Sequence, residues 1–196
     1  EGHNFDIRKH LLDYDNVMNQ QRTIIYGMRK KIMEGKDVDK TILDMMSDLT
    51  SDTLDLYVPD KAKASDFNLD GLNMALSAQF GVQINFKSFP NIDSEIITSS
   101  VGKAVKDAYD NQKRNLGPFW EQLQKMLLLQ AIDLRWKEHL ARIDRIKEGI
   151  NLRGYAQKDP IIDYKKEAYI AFEALHGVIK ADTIEKLLKV QIVNKE

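Results

Sequence analysis

The residues whose types could carry chemistry are scattered along this sequence. His3, His10, His139 and His176 never form a His-Glu-x-x-His pair. Glu138-His139 lacks a second ligand at i+3 or i+4, so a place near a helix seam is the plainer reading for His139. Asp13 and Asp15 flank Tyr14. Two carboxylates two residues apart on a helix point about 200° apart, so they cannot share a site as an acid–base pair. No Gly-x-x-x-x-Gly-Lys-Ser/Thr and no Gly-x-Gly-x-x-Gly occurs, so no phosphate-cradling loop can be argued. Cys is 0, which removes thiol nucleophiles, disulfides and Cys-based zinc sites and fits a reducing compartment. Trp136 beside Lys137, with Trp120 earlier, could stack bases, but aromatics at helical spacing are more often core. Lys+Arg 29 against Asp+Glu 30 gives a net charge of -1, which argues against a nucleic-acid binder. What remains is a local excess of charge: Arg142, Arg145, Lys147, Arg153 and Lys158 face only Asp144 and Glu148.

The elements that position these residues read as helices. The chain has 196 residues with Gly 10 and Pro 4, and each proline falls between periodic segments. Apolar residues recur at Ile7, Leu11, Tyr14 and Met18, then at Ile25, Met28 and Ile32, a coiled-coil-like seam broken only by Gln21. Gly35 is a plausible C-terminal cap. A helix of about 30 residues would be ~45 Å long, a spine against which other parts pack. Asp37 or Asp39 can cap the next helix, carrying Ile42, Met45, Met46, Leu49 and Leu56 and ending before Pro59. Asn68 can cap a short helix through Leu72, Leu76 and Phe80 to Gly81. Val82, Ile84 and Phe86 alternate like a brief strand or extended edge. Asp93 starts another helix, with Ile97, Val101, Ala104 and Ala108 on one side, closed by Gly117-Pro118.

Pro118 opens a helix with Leu123, Leu127, Ile132, Trp136, Leu140, Ile143 and Ile146, running to about Glu148. Gly149 and Gly154 bracket the connection Ile150-Asn151-Leu152-Arg153, and Pro160 opens the return helix with Ile161, Ala168, Phe172, Leu175 and Ile179. A short connection makes the two antiparallel neighbours, an αα-hairpin with a basic tip. The expected fold is all-α: a long helix over 1–36, a small inserted helical domain over 37–116, and the two-helix hairpin over 117–196. Nothing approaches the ~18 consecutive apolar residues of a membrane span. The first residues show neither an initiator Met nor signal-peptide architecture, so a piece of a longer chain is expected.

Two blocks of sequence carry a resemblance. Trp136-Lys137-Glu138-His139-Leu140, followed by Gly149-Ile150-Asn151-Leu152-Arg153-Gly154-Tyr155-Ala156-Gln157-Lys158-Asp159-Pro160, closely resembles the SecA family. That family comprises the motor ATPases of the bacterial Sec preprotein translocase. Asn4-Phe5-Asp6-Ile7-Arg8-Lys9, then Leu12, Tyr14, Asp15, Val17 and Gln21-Arg22, resemble the start of its long scaffold helix. The resemblance covers essentially the whole chain, strongly at 4–22 and 133–169 and weakly at 37–116.

The resemblance implies a helical scaffold over 1–36, a helical wing over 37–116 and a two-helix finger over 117–196. It implies that the finger looks into the cytoplasmic mouth of the SecY channel and contacts the translocating preprotein. The contact would come from Arg142, Arg145, Ile146, Lys147, Gly149 and Arg153. Trp136, His139, Leu140, Gly154, Tyr155, Gln157, Asp159 and Pro160 form the finger motif, and Asn4, Phe5, Asp6 and Arg8 the scaffold-helix motif. Many family members carry a bulky residue, often tyrosine, where Arg145 stands here; arginine keeps the bulk and adds a permanent charge. The family's nucleotide site, with ATP and Mg, lies outside these residues, so no cofactor, no metal and no catalytic residue is expected within them. The implied partners are SecY, the preprotein, the other domains of the parent chain and a possible second copy, at the inner face of the plasma membrane. A free-standing helical adaptor that binds another protein through the hairpin groove is the alternative.

Overall fold

The computed structural model describes residues 2–59, 63–153 and 159–191, with the side chains of residues 2–11, 151 and 153 outside that description. Helix α1 spans Gly2–Met33, α2 Val38–Tyr57, α3 Leu69–Phe80, α4 Ser94–Leu116, α5 Trp120–Arg153 and α6 Pro160–Lys189. Single 3-10 turns lie at Ala64–Asp66, Phe86–Ser88 and Gly117–Phe119. Among the described residues there is no strand, and the all-α expectation holds.

The helix ends follow from local chemistry. Gly35 takes φ 72°, where a side chain would be strained. Its N–H bonds Ile32 O at 2.9 Å and the Lys36 N–H bonds Lys31 O at 3.2 Å, the paired bonds of a Schellman stop. Asn68 caps α3 by accepting from Gly71 N, and Asp93 caps α4 by accepting from Ile96 N at 2.8 Å. Asp37 occupies the N-cap position of α2, yet its side chain makes no cap bond.

Four expectations need correction. Val82, Ile84 and Phe86 form no strand: Val82 and Phe86 are buried, but no neighbouring strand is present to pair with. The side-chain amide of Asn73 takes that role, donating to Ile84 O and accepting from Ile84 N, both at 2.9 Å. Residues Gly149 to Arg153 are not a connection, because α5 continues through all of them. A helical glycine costs only about 1 kcal/mol, and burial of the next residue, Ile150, offsets it. On α2, Leu56 is exposed and Leu54 is the buried residue; on α4, Val105 and Tyr109 rather than Ala104 and Ala108 reach the core. On α4 the difference is one residue, which one sequence's periodicity does not resolve; on α2 it is two residues, which puts Leu54 and Leu56 on opposite faces.

The described chain falls into two compact units: residues up to Lys36 with Leu128–Ile179, and Asp37–Leu127 with the residues from Lys180 onward. The division therefore falls inside α5 and inside α6. In the second unit α2 packs on α3 and α4, with Ile42, Leu72, Leu76, Ile97 and Val101 fully buried. Each such side chain contributes about 1.5–3 kcal/mol through burial. Here Asp39 has a task other than capping. Its carboxylate accepts from Tyr109 Oη, from Gln124 Nε2 at 3.0 Å and from Trp120 Nε1 at 3.4 Å, with Lys113 Nζ also at 3.4 Å. Burial opposes its charge, but these donors outweigh that penalty, and the Asp39 carboxyl lies below the usual carboxylate range.

Candidate functional site

The first unit contains α1, most of α5 and most of α6, and its contacts define how they align. Lys147 Nζ lies over the Tyr14 ring at 5.2 Å, His139 meets Gln21, and Arg29 forks onto Asp133 at 2.8 and 3.2 Å. Rising numbers on α1 meet falling numbers on α5, so the two run antiparallel. Tyr14 meets Tyr164 edge-on at 4.5 Å and Gln21 meets Ala168, so α6 runs parallel to α1.

Near the end of α5 the interior is apolar. Ile143, Ile150, Ile161, Tyr164, Ala168 and Ala171 enclose Tyr14, with Val17, Met18 and Ile146 packed against them. Burial, with neighbouring acidic and phenolic groups, pushes the Tyr164 hydroxyl up to about 12, so it stays neutral. One face of this stretch of α5 is therefore committed to packing, which was not expected of a tip. The opposite face carries Arg145, which is exposed; Arg142, also exposed, lies nearer the packed side and lines a groove with His139, Ala171, Ala174 and Val178. Arg145 has no hydrogen-bond or ion-pair partner among the described residues. Of the other residues expected there, Ile146 packs on the core, Lys147 is engaged with Tyr14, and Gly149 is half-buried within the helix.

The finger motif divides in the same way. Trp136 is buried and stacks on His139 with ring centroids 5.5 Å apart; Leu140 is half-buried. Pro160 is the first residue of α6, and Asp159 caps it by accepting from Ile161 N at 3.0 Å. Gly154, Tyr155 and Gln157 lie outside the described residues, as do the side chains of Arg153, Asn4, Phe5, Asp6 and Arg8, although the backbone of the last four belongs to α1.

One residue in this unit was legible only as an anomaly. Gln21, the break in the apolar seam, is 6% exposed, and His139 is 4% exposed. Gln21 Nε2 donates to Ala168 O at 3.1 Å, and Gln21 Oε1 lies 2.7 Å from His139 Nε2. A carbonyl can only accept, so the amide must turn its NH2 to Ala168 and its oxygen to His139. That leaves the proton of the neutral imidazole on Nε2. Burial, with the positive charges of Arg142 and His176 nearby, pushes the His139 imidazole down to about 4, so it stays neutral at physiological pH. With Nε2 occupied, His139 sits in the seam as a hydrogen-bond donor.

The order of these parts matches a known family: a family model described as SecA Wing and Scaffold domain covers residues 1–191. The chain belongs to this SecA family. Protein translocase subunit SecA of Bdellovibrio bacteriovorus is 52% identical over 196 residues, spanning 100% of this chain and 22% of that protein. The subunit SecA of Syntrophus aciditrophicus is 41% identical across the whole chain and 24% of its own length, and that of Elusimicrobium minutum 40% identical across the whole chain and 23% of its length. The chain thus spans less than a quarter of these SecA relatives. Among the described residues no helix is long and apolar enough to cross a membrane.

Proposed function

We propose that this chain is the scaffold, wing and two-helix finger of a preprotein-translocating motor, and that the exposed face of α5 around Arg145 touches the moving polypeptide. In this reading ATP and Mg act in other domains of the parent chain, and residues 1–196 have no chemistry of their own. The scaffold helix and finger couple hydrolysis to movement through SecY and restrain basal turnover. The parent works from the cytoplasm, peripherally attached at the inner face of the plasma membrane.

The observation that carries the reading is the contrast at the end of α5. Ile143, Ile146 and Ile150 are engaged in the core, while Arg145, one helix face away, is exposed and without a partner among the described residues. A translocating chain varies in sequence, so its contact must be tolerant and directed at the backbone. A long arginine with an apolar stem and several donors suits that task.

The test is a photo-crosslinker at position 145 of the full-length protein during translocation. It is expected to capture the substrate polypeptide, whereas one at Lys31, exposed on α1, is not. Capture at 31 and not at 145 would sink the assignment. Calorimetry on residues 1–196 is expected to detect no saturable ATP binding, and micromolar binding would overturn that part.

A further inference from the structure

We propose that Gln21 and His139 form a register lock, a buried polar pair that admits only one axial alignment of α1 against the hairpin. Tyr14, Met18, Gln21, Ile25, Met28 and Ile32 follow one another at steps of four and three, and all but Gln21 are apolar or aromatic. Sliding α1 by one step, about 4.5–6 Å at 1.5 Å per residue, would bring Met18 or Ile25 to the level of His139. Apolar packing discriminates weakly between such alignments, because each knob finds an equivalent hole.

The polar pair discriminates strongly. In the observed alignment His139 Nε2–H donates to Gln21, and Gln21 donates to the second lone pair of Ala168 O, so three helices are tied at one level. After a slip, His139 would face Met18 or Ile25, which offer no acceptor. Gln21 would enter the apolar layer of Tyr14 and Tyr164 or the level of Trp136. Two buried polar groups would then be unsatisfied at once. Arg29–Asp133 is half-exposed and flexible enough to follow a slip, so it supplies little of this selection. The lock deepens the proposed function, on which its consequence for a motor rests. A slip of one step would carry the Arg145 face along the scaffold helix by the same distance.

Spin labels at positions 31 and 137, both exposed and both in the first unit, report the alignment by pulsed electron resonance in the full-length protein. The unsubstituted protein is expected to give one distance. Gln21→Leu combined with His139→Leu is expected to melt no lower, yet to show a second distance population, displaced by the part of the ~5 Å axial slip that falls along the line between the labels. A single unchanged distance in that variant overturns the lock. His139→Gln places an amide donor where Nε2 stands, and is expected to keep one distance. A second distance there overturns the proposal whatever the doubly apolar variant does. These distances read the lock directly, whereas failure of the motor reading would appear as loss of crosslinking at position 145 with the distances intact.

Discussion

Two levels of the same hairpin, about two turns apart on α5, handle polar residues in opposite ways. At His139 the polar side chain points inward, neutral and paired with Gln21. Around Arg145 it is isoleucines that enter the core from α5; Lys147 lies over the Tyr14 ring, and Arg145 itself points outward. The inner level therefore invests in alignment, since a buried hydrogen bond specifies geometry while adding little net stability. The outer level separates its tasks: one face packs, and the opposite face is left to meet something else. A substitution at the first level should be felt as folding, and one at the exposed face of the second as function.

The largest effect should come from the packed face. Ile143→Ala is expected to lose about 2–5 kcal/mol in urea denaturation, because it leaves a cavity beside Tyr14 and Tyr164. Next is the pH dependence of the inner level. His139 has its folded-state pKa near 4 and an ordinary value near 6.5, so the unfolded chain takes up the proton first as pH falls. Its contribution is intact above about pH 6.5 and is lost between there and pH 4, by up to roughly 3 kcal/mol. Denaturation profiles over this window should flatten in His139→Gln; an equally steep profile would show that other groups set the slope. Gln21→Leu alone leaves the His139 N–H without an acceptor and should cost about 1–3 kcal/mol, more than the doubly apolar variant. Lys147→Met removes the cation over Tyr14 and should cost about 0.5–1 kcal/mol, read as a small drop in the denaturation midpoint.

What was legible in the sequence was local or periodic. The Gly35 stop, the Asn68 and Asp93 caps and the Pro160 start are read from a few adjacent residues, and each stands where expected. The seam of α1 was legible because it repeats. Gln21 could be seen to break the seam, but its partners are 118 and 147 residues away, and a single sequence records the anomaly without its answer. Asp39 was hidden for the same reason: near a helix start it reads as a cap, while its donors come from α4 and α5. Gly149 reads as a turn because glycine usually punctuates. The burial of Ile146 and Ile150, which holds the helix together past it, is a tertiary fact.

The most direct test of the claim that packing and work are divided between the two faces of α5 is Arg145→Gln in the full-length protein. Position 145 is exposed and within the helix, so the unfolding free energy should stay within about 0.5 kcal/mol of that of the unsubstituted protein. Preprotein transport should fall by clearly more than ATP turnover. Normal transport by this variant, or a loss of stability comparable to that of Ile143→Ala, would contradict the account.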